Sequence, residues 1–192
     1  MPGAGRVRRN GAKSPSTEGG PRSRKRDDVV RGAFTVFASD GYVAASIDVI
    51  AERAGVSTRT IYNHFTNKER LFQAVIEDSA ARVADAQIAL MDEHLAGAVD
   101  LETALTAFAL AWVSPSSNTA EHFRLMRRIQ AERAQLPRVA VEAWRRAGPV
   151  RVKRRLAVYF TQWASAGWLT IDEPYRAALQ FASLVSLEDL RV

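Results

Sequence analysis

Thr58, Arg59, Tyr62 and Asn63 are hydrogen-bonding side chains spaced three and four residues apart, which gathers them on one face of a helix. An arginine presented in this way can donate two N–H groups to guanine O6 and N7, and an asparagine can make the matching two-point contact with adenine. The chemistry that suits such a set is readout of base edges rather than bond making. The alternative is an ordinary surface helix whose polar face meets only water, since a bare helix–glycine–helix pattern is not unique to one use.

Two short helices must position that face. Ser46 is placed to cap a first helix from Ile47 to about Ala54, with Asp48 in its first turn where a negative charge suits the helix dipole. Gly55 stops it, because the residue just past a helix end often takes a positive φ that glycine adopts freely. Val56 comes next as a buried plug, and Ser57 is placed to cap the second helix. Ile61 and Phe65 lie four apart and face back toward the first helix, whose Ala51 and Ala54 are small enough for a close crossing.

With its flanks, this stretch resembles the DNA-binding domain of the TetR family of transcriptional regulators. The resemblance is carried by Ala33, Phe34 and Phe37, by Asp40-Gly41-Tyr42, by Ile50 to Ser57, by Thr60 to Phe65 and by Asn67 to Phe72, in order and without gaps over about residues 24–75. It implies that the helix holding Thr58 to His64 lies in the major groove, with Thr58, Arg59 and Asn63 at base-reading positions. It also implies phosphate contacts for Ser57, Thr60, Tyr62, His64 and Lys68. Hydroxyls, an imidazole and an ammonium are donors that phosphates accept, and Lys68 opens a helix whose N-terminal end favours an anion.

The remaining periodicity is helical throughout. A first helix is expected from about Arg24 to Ser39, presenting Val30, Ala33, Phe34 and Phe37 to a core and ending at Asp40-Gly41. Asn67 is placed to cap a long helix from Lys68 toward Leu95, about 40 Å at 1.5 Å per residue. Breaks at Ser114-Pro115, Leu136-Pro137, Gly148-Pro149, Gly167 and Pro174 divide the rest of the chain into helices near 100–113, 118–135, 137–147, 149–166 and 173–189. The fold class is therefore all-α: a basic arm over 1–23, a three-helix DNA-binding domain over 24–75, and a helical ligand-binding and dimerisation domain over 76–192. The wording from Arg128 to Pro137, the turn Ala147 to Pro149 and the run Gly167 to Pro174 resemble the AefR-like branch of TetR C-terminal domains.

For the second domain the resemblance implies a small-molecule effector and a homodimer on a palindromic operator. Candidate pocket residues are Phe108, Trp112, Phe123, Met126, Trp144, Tyr159, Phe160 and Trp163; each also fits a plain core, as helical apolar stripes usually do. The run Arg145, Arg146, Arg151, Lys153, Arg154 and Arg155 is expected to be a solvated helix face more than an anion site. The chain stops at Val192, where relatives continue through another helix of the dimer bundle. Pairing is then expected from the helices near 149–166 and 173–189 alone, unless the chain is a shortened form.

Composition sets the outer bounds. Residues 1–26 carry eight basic side chains against Glu18, whereas the remaining 19 basic and 20 acidic residues nearly cancel, so the net charge of +6 resides in the arm. That arm is too poor in large apolar residues to fold alone and is suited to tracking phosphates or a minor groove. The absence of cysteine excludes disulfides and thiolate chemistry. No apolar run approaches a bilayer span and no secretory leader is evident, which places the expectation in the cytoplasm, away from membranes. His64, His94 and His122 lie on separate elements and no nucleotide-binding, hydrolase or metalloprotease motif occurs. Neither an enzyme nor a cofactor or metal site is expected. The rival reading is a non-specific architectural DNA-binding protein that relies on the arm.

Overall fold

Helix ends fall where side chains can cap them. In a computed structural model that describes residues 21–114 and 117–185, Ser46 Oγ accepts from Val49 N at 3.2 Å, Ser57 Oγ from Thr60 N at 3.1 Å and Asn67 Oδ1 from Arg70 N at 2.9 Å. Each cap meets an N–H that the helix itself leaves unpaired. The elements they delimit are α1 (Pro21–Ala44), α2 (Ile47–Ala54), α3 (Thr58–His64), α4 (Lys68–Leu95), α5 (Leu101–Val113), α6 (Ser117–Ala131), a 3₁₀ turn (Arg133–Gln135), α7 (Arg138–Ala147), α8 (Pro149–Ser165) and α9 (Pro174–Val185). Among the described residues no strand occurs.

Two boundaries differ from the sequence expectation. Helix α1 starts at Pro21, inside the span assigned to the arm, where a residue without an N–H costs a first helical turn nothing. It is broken at Gly41 (φ 86°, ψ 175°) and resumes for one turn to Ala44. The helix expected over 118–135 stops at Ala131, and residues 133–135 tighten into the 3₁₀ turn. Pro137 accounts only for the extended Leu136 (φ −78°, ψ 143°); the departure from the α-helix comes earlier, at Glu132 (φ −103°, ψ 13°), whose carboxylate is engaged with the backbone of Tyr42 and Val43. The arm up to residue 20, and the expected continuation of the last helix beyond Val185, lie outside the described residues.

Two cores are strung along α4. Its first half contributes Leu71, Phe72, Val75 and Ile76 to a core shared with Val29, Phe37, Ile50 and Ile61. Its second half contributes Ala84, Met91 and Leu95 to another, with Phe108, Leu156, Phe160 and Trp163. Full burial of a side chain of this size contributes roughly 1.5–3 kcal/mol, so Phe37 and Phe72, both fully buried, are a main source of the first core's stability, with the half-buried Tyr42 packed against them. There Phe37 meets Phe72 edge-on at 5.0 Å and Tyr42 lies 4.6 Å from Phe72. The division at residue 75 separates stretches of chain but not cores: Leu125, Leu136 and Ala140, from α6 onward, are buried in the first core.

Candidate nucleic-acid interface and ligand cavity

The Gly55 turn (φ 65°) sets α3 across α2, with Gly55 N donating to Glu52 O at 3.1 Å. Ile61 is fully buried and Phe65 nearly so, which fixes the rotation of α3. Val56, expected to be buried, is half-buried at the edge of the same core. The rotation leaves Arg59, Asn63 and Tyr62 exposed, Tyr62 at 55%, with Thr58 half-buried beside them. Thus Thr58, Arg59, Tyr62 and Asn63 do share one outward face.

Of the other expected phosphate donors, Ser57, Thr60 and Lys68 have hydrogen-bond partners within the chain. Ser57 Oγ lies 2.9 Å from Thr60 Oγ1 in addition to capping α3, and His64 is half-buried. Lys68 Nζ donates to Val43 O at 3.2 Å and to Ala45 O at 2.9 Å, and it stands 4.8 Å over the Tyr42 ring. Two of its three N–H groups therefore hold the α1–α2 connection. On the same side Arg26 lies over Phe65, 5.4 Å from the ring centre.

The same connection is held from the second domain. Arg128 donates to Ser39 O at 2.7 Å, closing the end of the long part of α1. Glu132 Oε2 accepts from Tyr42 N at 2.7 Å and Val43 N at 3.0 Å, the two N–H groups that the break at Gly41 exposes. The carboxylate sits so close that a Cβ on residue 41 would fall 1.8 Å from Glu132 Oε1. Sequence reasoning missed both residues. The run from Arg128 to Pro137 stands out as wording, but nothing in it indicates a partner ninety positions away.

Helix α6 also walls a partly open cavity of about 520 Å³ between α4, α6, α7 and the start of α8, to which Trp112 of α5 and Ala182 and Ser183 of α9 also contribute. Of the expected pocket residues, Trp112, Phe123, Met126 and Trp144 line it. The other four do not. Phe108 is fully buried, edge-on to Trp112 at 5.2 Å, and Phe160 is packed in the core against Trp163 and Phe181. Tyr159 and Trp163 border a separate recess of about 390 Å³ beside Leu95 to Ala98. For the three on α8 the reason is position along the helix: Val152 lines the cavity, and residue 159 lies about 10 Å farther along the helix axis.

Sequence reasoning did not place His122 in this wall, and neither did it place Lys153, Arg133, Gln87 or Gln130 there. His122 is buried, with Nδ1 2.9 Å from Ser79 Oγ, itself buried on α4. Burial, assisted by the Arg82 charge, pushes its pKa down to about 4, so the ring is neutral at pH 7. Trp144 Nε1 is buried without a hydrogen-bond partner among the described residues. The basic run divides: Arg145 pairs with Glu142 at 2.9 Å, Arg151 with Asp85 at 2.6 Å and Arg155 with Asp92 at 2.7 Å. Lys153 alone of the six turns into the cavity lining. Among the described residues no cluster of three or more His, Cys, Asp or Glu is arranged for a metal ion, and no helix is long and apolar enough to cross a membrane.

Comparison with known proteins gives two successive family matches, with residues 76–102 between them. Residues 29–75 match the tetR family of bacterial regulatory proteins, and residues 103–188 match the C-terminal domain of AefR-like transcriptional repressors. A curated relative, the HTH-type transcriptional repressor AcnR of Corynebacterium diphtheriae, is 38% identical over 63 residues, 33% of this chain and 33% of that protein. The chain thus aligns with only about a third of this relative's length. Solved structures align far more extensively. A crystal structure assigned to a TetR-family transcriptional regulator of Mesorhizobium loti is 30% identical with a TM-score of 0.71, covering 82% of this chain and 77% of that one. The flavonoid-responsive regulator FrrA is 33% identical with a TM-score of 0.63, covering 84% and 79% respectively.

Proposed function

Because the chain belongs to the TetR family of bacterial regulatory proteins, we propose that it is a sequence-specific DNA-binding transcriptional regulator. It binds a palindromic operator as a homodimer in the cytoplasm and, acting as a repressor, is released by a small molecule held in the cavity behind α6. The observation that carries this reading is the outward face of α3. Arg59, Tyr62 and Asn63 are exposed together on a short helix that is capped by Ser57 and locked from behind by Ile61.

In this reading Arg59 and Asn63 read base edges, with Thr58 beside them, while Ser57, Thr60, Tyr62 and His64 meet phosphates. Lys68 serves the phosphate side chiefly by holding the α1–α2 connection in place, since its N–H groups are already given to Val43 and Ala45. The arm ahead of residue 21 adds charge-driven affinity. Pairing of two chains through α8 and α9 is supported by the exposed Val158 and Leu184 on those helices.

The effector's route to the DNA is α6. Its residues His122, Phe123 and Met126 line the cavity, while Arg128 on the same helix and Glu132 just beyond it hold the connection ahead of α2. A ligand that shifts α6 therefore displaces the support of the reading head. A neighbour that is flavonoid-responsive supports a planar aromatic effector, and a repressor relative supports the sign.

The decisive experiment is selection of random DNA fragments on the purified chain at near-physiological salt with competitor present. A recovered palindrome with half-sites about one helical turn apart, ~34 Å, is the expected result. Enrichment without any motif would instead support a non-specific architectural binder.

A further inference from the structure

The charge balance of the cavity wall identifies a ligand class. Its apolar part, including Trp112, Phe123, Met126 and Trp144, suits flat or aromatic bodies, and its volume of about 520 Å³ lies within the usual range for small-molecule sites. Among the described residues its charged part is one-sided: the exposed Arg133 and the half-buried Lys153 belong to the lining and no aspartate or glutamate does. Nor do neighbouring acids neutralise them. Asp85 is taken by Arg151, Glu142 by Arg145, and Glu132 by the backbone of Tyr42 and Val43. Among the described residues neither Arg133 nor Lys153 has an ion-pair partner, although Lys153 is half-buried.

We propose that the effector is a small apolar, preferentially aromatic molecule bearing one carboxylate-type anionic group, bound by Lys153 and Arg133. The proposal rests on the reading of this cavity as the effector site. A half-buried ammonium that no described residue neutralises has lost part of its hydration, and a ligand anion restores it while gaining a charge-assisted hydrogen bond in a medium less polar than water. A neutral ligand leaves that ammonium unmet, and a cationic one is repelled. His122 does not alter the balance, because its burial keeps it uncharged near neutrality. Trp144 Nε1 adds an unmet donor to the wall, so its polar atoms favour a ligand rich in acceptors.

The test uses the full chain and three probes that share one ring system: 2-naphthoate, 2-naphthalenemethanol and 2-naphthylmethylammonium. Calorimetric titration should give naphthoate the tightest binding, about tenfold or more over the alcohol, with the ammonium weakest. Lys153→Gln should abolish most of that preference and Lys153→Arg should retain it, both variants being checked for an unchanged melting profile without ligand. Equal binding of acid and alcohol, failure of all three probes at millimolar concentration, or a preference that survives Lys153→Gln combined with Arg133→Gln would overturn the proposal. DNA selection on the same preparation separates the two levels. A recovered operator without anion preference removes only the ligand class, whereas anion preference without a recovered operator removes the regulatory reading.

Discussion

The carboxylate of Glu132 holds the backbone N–H of Tyr42 at 2.7 Å, and so closes a gap that the chain opens at Gly41. A glycine at φ 86° breaks α1 and exposes the next two N–H groups, and a residue flanked by the cavity-lining Gln130 and Arg133 supplies their acceptor. Replacing Glu132 with Ala should cost roughly 1–3 kcal/mol in urea denaturation and speed hydrogen exchange at Tyr42 and Val43. Glu132→Gln, which keeps an acceptor oxygen, should cost less. Unchanged exchange at those two amides would show that the contact supports nothing.

Reading and positioning separate in a pair of variants. Arg59→Ala should relax preference at one base pair, at a cost of roughly 1–3 kcal/mol there, and leave the melting temperature alone, since its side chain is exposed. Lys68→Ala should weaken all operators alike and also lower stability by roughly 1–2 kcal/mol, because it releases two carbonyls and the face of Tyr42. Competition binding against single-base operator variants, together with melting curves, decides. Identical profiles for the two would erase the distinction.

His122 should make the fold acid-sensitive. Its folded pKa of about 4 lies below the ordinary 6.5, so the unfolded chain takes up the proton first and stability falls as pH drops from about 6.5 to about 4. The loss should amount to up to roughly 3 kcal/mol across that window. His122→Asn, which does not titrate there, should flatten this part of the curve of stability against pH; a slope identical to wild type would place the titration elsewhere.

Gly32 lies where α1 and α2 nearly touch, and a Cβ there would stand 2.7 Å from Ala54 Cβ and 2.8 Å from Ala54 Cα. Backbone, not a movable side-chain tip, blocks the added methyl. Gly32→Ala should therefore destabilise by roughly 1–3 kcal/mol and weaken operator binding by tilting α2, although alanine is the better helix former. A variant more stable than wild type would mean that the two helices slide apart freely.

Removal of residues 1–20 leaves α1 whole and takes away Arg6, Arg8, Arg9 and Lys13. Each lost phosphate contact should reduce the slope of log affinity against log salt by about 0.9. A slope equal to that of the full chain would make the arm a bystander on DNA.

The local grammar of the reading head was legible because caps, the Gly55 turn and the Ile61/Phe65 pair are all encoded within a few residues of the structure they specify. The long α4 and the later helices were legible for the same reason, apart from the early stop at Ala131, where the chain leaves the α-helix at Glu132. Contacts made across the chain could not be read. The pairs Arg128/Ser39 and Glu132/Tyr42 leave no periodic trace, and an aromatic that fills a core looks the same in sequence as one that lines a void. Phe108 and Phe160 belong to the first kind, Trp112 and Trp144 to the second, and only the crossing of α4, α6 and α8 sorts them.

Because Leu125, Leu136 and Ala140 complete the core around Phe37 and Phe72, the reading head is not an interchangeable part. A chimera that transplants residues 24–75 onto another regulator's body would arrive with an open floor and with Tyr42 and Val43 seeking an acceptor. Whoever re-targets such a protein by grafting must carry α6 and α7 along, or else change only the side chains on the outward face of α3 and leave the rest of the head at home.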